Sequence, residues 1–385
     1  MKKRLIPCLS ALAALTTLVA CGGSTYDKVE KNGYAGRVAL VDGTATDGTT
    51  WDPVTATAEV ERVLSSGKAN AVDVILSNND GMALGILQSA KFKKAGIPIY
   101  GVDALADAIQ AIKDGTLTGT IKNDSYTQAK VALQLFKNVD GGATDKAGYE
   151  KDIIGKIDGA YDSYETDTKA IRVHHKMVTK DNVNDFVAPA AVTTNELGNR
   201  KATKKLFALT YNNADPNMSG LWKPGFNDFG NELGYAIDWV DGQNDDQKAQ
   251  EALSAAVKKG YDGYLINVVD QTNGRGYLDK IPTDKPCIFW NRELTKGGNI
   301  DKELMASRNN VFYVGIESAE GGRLQGQMAA EWFNKNYATN AKIDRNGDGK
   351  IGYIVVRGEK GHADAEARTV ASPEQLDANL TIFKK

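Results

Sequence analysis

From Arg37 onward, short apolar, β-rich runs alternate with helical stretches, and this alternation constrains the fold more than any other feature of the chain. Val38 to Val41, Val72 to Leu76 and Ile97 to Val102 read as strands. Between them, apolar spacing predicts helices from about Thr55 to Ser65 and from Met82 to Lys93. Strands separated by helices form a parallel sheet with crossover connections. The unit recurs. Asp73 to Asp103 runs strand, Asn-Asn-Asp, helix, Gly-Ile-Pro98, strand; Asp262 to Asn291 runs strand, Val-Val-Asp270, a shorter helical segment, Asp-Lys-Pro286, strand. In both copies a polar residue, Asp103 or Asn291, stands five positions after the proline. Two similar α/β lobes follow, against the competing explanation of chance likeness between two strand-helix-strand units. After a helix over Tyr126 to Lys137, the stretch Asp140 to Tyr164 reads as an irregular polar excursion. Ala188 to Lys204 reads as a linker, and Lys205 to Tyr211 as a new strand.

The first residues describe export. Lys2, Lys3 and Arg4 precede an apolar run from Leu5 to Val19, too short and too asymmetrically flanked to span a bilayer, as in a secretory signal. It ends in Leu18-Val19-Ala20-Cys21 before Gly22 and Gly23, which resembles the bacterial lipoprotein processing box. Acyl chains on Cys21 would hold the protein to a membrane, each buried methylene contributing roughly 0.8 kcal/mol. A plain signal peptide with a chance cysteine is the alternative. Residues 21–36 read as a flexible tether. Cys8 leaves with the leader and Cys21 is acylated, so Cys287 has no partner for a disulfide. Without crosslinks the fold rests on burial, and a chain of 385 residues exceeds the roughly 250–300 at which one core divides. A net charge of −2 and no basic tract beyond the leader leave no footprint for nucleic acid.

In open α/β sheets ligands bind beyond the carboxyl ends of the strands. The polar residues at those ends are Trp51, Asn79, Asp103, Asn123, Asp215 and Asn291, with His362, Asp364 and Arg368 after Val355 and Val356. Carboxylates, amides and a guanidinium can bond adjacent hydroxyls in pairs, and the C–H face of a pyranose can lie on an indole, so the set suits a sugar. Singly, each Asn or Asp also suits a turn or a helix N-cap.

Four runs carry a resemblance: Gly358-Glu-Lys-Gly-His362-Ala-Asp364-Ala-Glu-Ala-Arg368-Thr369, Ser77-Asn-Asn79-Asp-Gly-Met-Ala-Leu-Gly85, Ile97-Pro-Ile-Tyr-Gly-Val-Asp103-Ala-Leu105 and Gly119-Thr-Ile-Lys-Asn123-Asp. They resemble the bacterial periplasmic glucose/galactose-binding proteins over nearly all of 37–187 and 205–372, in swapped order. The resemblance implies a circularly permuted type I periplasmic-binding-protein fold: two Rossmann-like lobes of parallel sheet joined by a three-strand hinge. One lobe would comprise 37–122, 171–187 and 312–385, the other 123–170 and 205–311, with 188–204 joining the family's original ends. It further implies hexose contacts on the nine residues above, delivery to an ABC-type transporter permease or a chemotaxis receptor, and a monomer in the periplasm. Where the family has a second aromatic ring, this chain has Asn217, so the sugar is stacked on one face or Trp222 or Phe226 supplies the ring.

Asp344-Arg-Asn346-Gly-Asp348-Gly-Lys350 has oxygens at alternate positions before glycine, like the first half of a calcium loop, but Val355 stands where an EF-hand has its bidentate glutamate. The resemblance implies a structural calcium held by Asp344, Asn346, Asp348, the Lys350 carbonyl and Asp73, one donor short because of Gly352. A polar turn without metal is the other reading. Among functions, an enzyme lacks a nucleophile elbow, a phosphate-binding glycine loop or a zinc cluster in this sequence. A host-interacting surface lipoprotein, or a binder of a pentose or other hexose, stays open.

Overall fold

The computed structural model describes residues 36–161, 163–186, 201–215, 217–337 and 343–383. The expected leader 1–20, Cys21 and residues 188–200 of the expected linker lie outside the described residues.

Two six-stranded sheets organise the chain. The first contains β1 (Arg37–Asp42), β2 (Val74–Ser77), β3 (Ile99–Val102), β4 (Gly119–Lys122), β6 (Lys176–Thr179) and β14 (Tyr353–Arg357). The second contains β5 (Ala170–Arg172), β7 (Lys204–Thr210), β8 (Tyr235–Asp241), β9 (Gly263–Ile266), β10 (Cys287–Trp290) and β13 (Val311–Gly315), while β11 (Thr295–Lys296) and β12 (Asn299–Ile300) form a separate hairpin. The central strands are buried along their whole length, as parallel strands covered on both faces must be. Apolar clusters lie on each face of each sheet, with Phe136, Trp222 and Trp290 on one side of the second sheet and Phe207, Tyr264 and Phe289 on the other.

The strand orders are β1-β14-β2-β3-β4-β6 and β5-β13-β10-β9-β7-β8. Read from its other edge, the second sheet begins β8-β7-β9-β10-β13, the doubly wound order 2-1-3-4-5. The first sheet has that order too if β14 is counted before β1. Parallel pairing runs throughout except at β4–β6, which is antiparallel. Both sheets therefore point a row of strand ends at one cleft.

Local chemistry sets the helix boundaries. Asp52 accepts hydrogen bonds from Thr55 N and Thr55 Oγ1 at the start of helix Pro53–Leu64, whose first residue is a proline suited to that position. The helix expected over Met82 to Lys93 is two, Asp80–Gln88 and Ala90–Ala95, because Ser89 turns extended and caps the second by accepting from Phe92 N at 3.2 Å. The excursion after Asp140 is better packed than expected: a short helix, Lys146–Glu150, and buried Tyr149, Ile153 and Tyr164 attach it to the second core.

Among the described residues the chain passes between the sheets near Asn123, at Val173–His175 and at Ile316–Glu317. The boundaries expected at 171 and 312 are corrected, since β5 and β13 both finish inside the second sheet by parallel pairing with each other. These crossings are tied together: Glu320 receives His174 Nδ1 at 2.8 Å, His175 Nδ1 at 2.9 Å and His175 N at 2.9 Å, and Arg172 Nη1 donates to Ile316 O.

Candidate functional site

The carboxyl ends of the two sheets enclose a cleft of about 680 Å³, within the roughly 300–1,000 Å³ usual for small-molecule sites. All nine residues expected from the sequence line it: Trp51, Asn79, Asp103, Asn123 and the group His362, Asp364, Arg368 around the first sheet, with Asp215 and Asn291 from the second. Trp51, Asp103 and Asn291 have φ of 59°, 120° and 62°. Gln243 and Asn244, also in the cleft, have φ of 55° and 54°, and such left-handed backbone at non-glycine residues is strain of a kind that surrounding structure must hold in place.

The loop Gly358–His362 supports the indole. A Cβ on Gly358 would overlap the Trp51 ring, so glycine is required beneath it. Trp51 meets His362 edge-on at 5.4 Å, and its Nε1 donates to Glu359 Oε2 at 3.4 Å. His362 caps helix Ala363–Asn379, its Nδ1 accepting from Asp364 N at 3.1 Å, which leaves the proton on Nε2. Burial, aided by the Arg292 charge, pushes its pKa down to about 4, so the ring is neutral. Burial opposes ionisation of Asp364, but Arg368, His362 and the Ser318 hydroxyl at 2.6 Å outweigh it and hold the carboxyl below its usual range. Arg368 donates from Nη1 to Asn78 O at 3.1 Å. Its buried Nε has no hydrogen-bond partner.

The capping roles open to Asn and Asp are real and compatible with binding. Asn79 Oδ1 accepts from Met82 N at 3.0 Å as an N-cap, which leaves its amide NH₂ for the cleft. Asn123 Oδ1 accepts from Gln128 Nε2 at 2.7 Å, and its side-chain amide hydrogen-bonds the Asp103 carboxyl. Asp103 is buried, and that burial raises its pKa to about 7, opposed by Arg368 and reinforced by the charge of Asp215. Asp215 accepts a short hydrogen bond from the Tyr211 hydroxyl. Carboxylates, amides and a guanidinium thus line the cleft with the indole, groups of both donor and acceptor character.

Among the described residues, hydrogen bonds join the lobes across the cleft. Asn217 Nδ2 donates to Asp103 Oδ2 at 3.1 Å, Arg292 Nη2 pairs with Glu359 Oε2 at 3.0 Å, and Ala363 N donates to Gln271 Oε1 at 3.1 Å. Arg292 also lies 3.8 Å over the Tyr211 ring. Sequence reasoning missed Arg292 and Tyr211 as cleft residues, although both stand at strand ends, Arg292 directly after Asn291. Of the two rings considered for the second face, Trp222 lines the cleft, whereas Phe226 lies behind it in the core.

The loop expected to hold calcium is satisfied by its own amides. Asp344 accepts from the N–H groups of Gly347, Asp348 and Gly349. Asp73 accepts from Arg345 N at 2.9 Å and Gly352 N at 2.7 Å, and burial raises its pKa to about 6. Asn346 donates to Asp348 Oδ2 at 3.0 Å, and the Lys350 amide donates to Asp348 Oδ1 at 3.0 Å. Among the described residues, no three acidic, His or Cys side chains gather as a metal would need. Asp344, Asn346, Asp348, the Lys350 carbonyl and Asp73 keep oxygen lone pairs beyond these bonds, the donor type that calcium takes.

A sequence profile of the periplasmic binding protein domain matches residues 25–143 and 207–385, more than half of the chain. The chain is 40% identical over 137 residues to the D-galactose/methyl-galactoside binding periplasmic protein MglB of Haemophilus influenzae, a stretch covering 36% of this chain and 38% of that protein. It is 33% identical over 101 residues to the multiple sugar-binding periplasmic protein SbpA of Azospirillum brasilense, covering 24% and 28%. It is 34% identical over 65 residues to a xylitol-binding protein of Mycolicibacterium smegmatis, covering 17% and 19%. The chain thus spans less than two fifths of the length of these curated relatives.

Proposed function

The chain belongs to the periplasmic binding proteins, a family of receptors rather than enzymes, with the type I fold and of the sugar-binding kind, and from that membership we propose that it binds glucose or galactose between its lobes and delivers it to an ABC-type transporter. The observation that carries this reading is the single cleft in which a tryptophan plate, two aspartates, three asparagines and the His362-Asp364-Arg368 group converge from both sheets. Lobes swinging about the crossings would bring these contacts to one sugar only on closure, so ligand stabilises the closed state by its differential contacts.

The swapped order of the chain is part of the proposal. Placement of β14 between β1 and β2 supports it, as does a match confined to 38% of the galactose-binding relative, since an alignment in one register cannot follow exchanged segments. Anchoring through Cys21 in the periplasm rests on the sequence around that cysteine, as does the transporter or chemotaxis partner on the family. A different monosaccharide is the second reading, favoured by Asn217 in the cleft and by relatives named for several sugars and for xylitol. Hydrogen-bonding sites reject ligands that leave a buried polar group unpaired, so one changed contact can change the sugar.

Isothermal titration of protein beginning at Gly22, stripped of sugar from the expression host, with glucose, galactose and ribose in turn, tests the proposal. Tight binding of a hexose, abolished in Asp103→Ala, is expected. Silence with all three in folded protein overturns the hexose assignment.

A further inference from the structure

Asn217 belongs to the second lobe, just after β7, and reaches the first. Its backbone N–H donates to Asp215 Oδ1 at 2.8 Å, which fixes the residue to its own lobe, while Nδ2 donates to Asp103 Oδ2 at 3.1 Å on the other. The remaining polar atom, Oδ1, is buried and has no hydrogen-bond partner. Asp103 is set by Asn123 as well as by Asn217. Since Asp103 and Asn217 separate when the lobes part, the contact and the burial of Oδ1 both belong to the closed state. A buried carbonyl oxygen without a donor disfavours the state that buries it, and a hydroxyl placed there removes the penalty.

The neighbours define what that group must be. Asp103 accepts from Asn217, Asp215 accepts from Tyr211, and Asn217 Oδ1 can only accept. Acceptors dominate this corner of the cleft, so it favours a donor: a free hydroxyl, and neither a ring oxygen nor a methyl ether.

We propose that Asn217 is a specificity-determining residue whose amide oxygen accepts one hydroxyl of the bound sugar at the point where it meets Asp103, so that closure is favoured on a ligand with a free hydroxyl there and disfavoured on one without. The inference rests on the hexose reading. It makes the closed state sense a single position of the sugar from both lobes.

The test is calorimetric titration of the wild type, Asn217→Leu and Asn217→Ala with the preferred hexose, each of its monodeoxy forms and each of its mono-O-methyl forms, with melting curves to verify folding. In the wild type, removal or methylation at one position should weaken binding at least tenfold. Both variants should bind the parent sugar at least tenfold more weakly than wild type, yet bind that one deoxy sugar within threefold of wild type, because residue and hydroxyl are coupled. Equal losses across all the sugars would overturn the proposal and leave Asn217 a packing residue. Unchanged affinity for the parent sugar in both variants would overturn it as well. If folded wild type binds no sugar at all, the hexose reading itself fails and this inference with it.

Discussion

Replacing Glu359 by Gln should weaken sugar binding without weakening the free protein. Glu359 Oε2 accepts from Arg292 Nη2 at 3.0 Å, from Trp51 Nε1 at 3.4 Å and from Thr50 Oγ1 at 3.5 Å. Burial would raise its pKa, but Arg292 and His362 overcome that and keep the carboxyl below its usual range, so it is a charged partner. The Arg292 side chain is 3% exposed and that of Glu359 27%, so solvent screens the pair only from one side. Hydrogen bonds to charged groups contribute ~1.5–3 kcal/mol and neutral ones about 1, and glutamine keeps a neutral acceptor, so the loss is about 0.5–2 kcal/mol. Because Arg292 and Glu359 sit on opposite lobes, the loss of that pair falls on the closed state, while Thr50 and Trp51, on the lobe of Glu359, keep the glutamine oxygen as an acceptor. At 1.4 kcal/mol per factor of ten, the sugar Kd should rise roughly two- to thirtyfold. Titration calorimetry gives the Kd, and differential scanning calorimetry of sugar-free protein should give an unchanged Tm. A Kd within twofold of wild type would refute the closure role. An undiminished loss when Glu359→Gln is made in an Arg292→Met background would show that Glu359 acts through Trp51 instead.

Trp51→Ala should lose the stacking plate and weaken hexose binding by at least tenfold in the same titration; retention of affinity would place the sugar elsewhere in the cleft. Gly358→Ala should give a similar loss by displacing the indole it would overlap, with quenching of tryptophan fluorescence by sugar diminished; an unaltered fluorescence response would show that the indole had kept its place. Asp80 is fully buried, accepting from Thr120 Oγ1 at 2.6 Å and Leu105 N at 2.9 Å, and burial followed by the Asp103 charge raises its pKa well above the usual value. A raised folded pKa means that the native state holds the proton more tightly than the unfolded chain. Its stabilising contribution is complete below the unfolded value near 4 and declines as pH rises toward the folded one. The Tm of Asp80→Asn relative to wild type should therefore climb from pH 4 upward, and a flat difference would contradict the burial argument. Adding calcium to metal-stripped protein should raise the Tm, since one cation would gather the oxygens of Asp344, Asn346 and Asp348, and Asp344→Ala should abolish the rise; an unchanged Tm in wild type would leave the loop a polar turn.

Much of the fold was legible because parallel strands buried on both faces leave continuous apolar runs, and because Asn79 suits a helix N-cap by local chemistry that needs no tertiary partner. The break at Ser89 was hidden: its side chain suits a cap, but nothing local says that the chain turns extended there. The crossing points were misplaced by a few residues for a related reason. Strands β5 and β13 end where their pairing partner ends, and pairing is a long-range fact absent from either segment alone. At the site, residues directly after strands were found because strand ends face the cleft whatever the side chain. What the sequence could not supply was the relation between lobes. Arg292 with Glu359 and Asn217 with Asp103 are far apart in the chain and meet only through the geometry of closure. Asn217 drew notice as a missing ring, which is a statement about what is absent. The structure gives it a positive role: an amide tied to both lobes whose free oxygen makes closure depend on what the cleft contains.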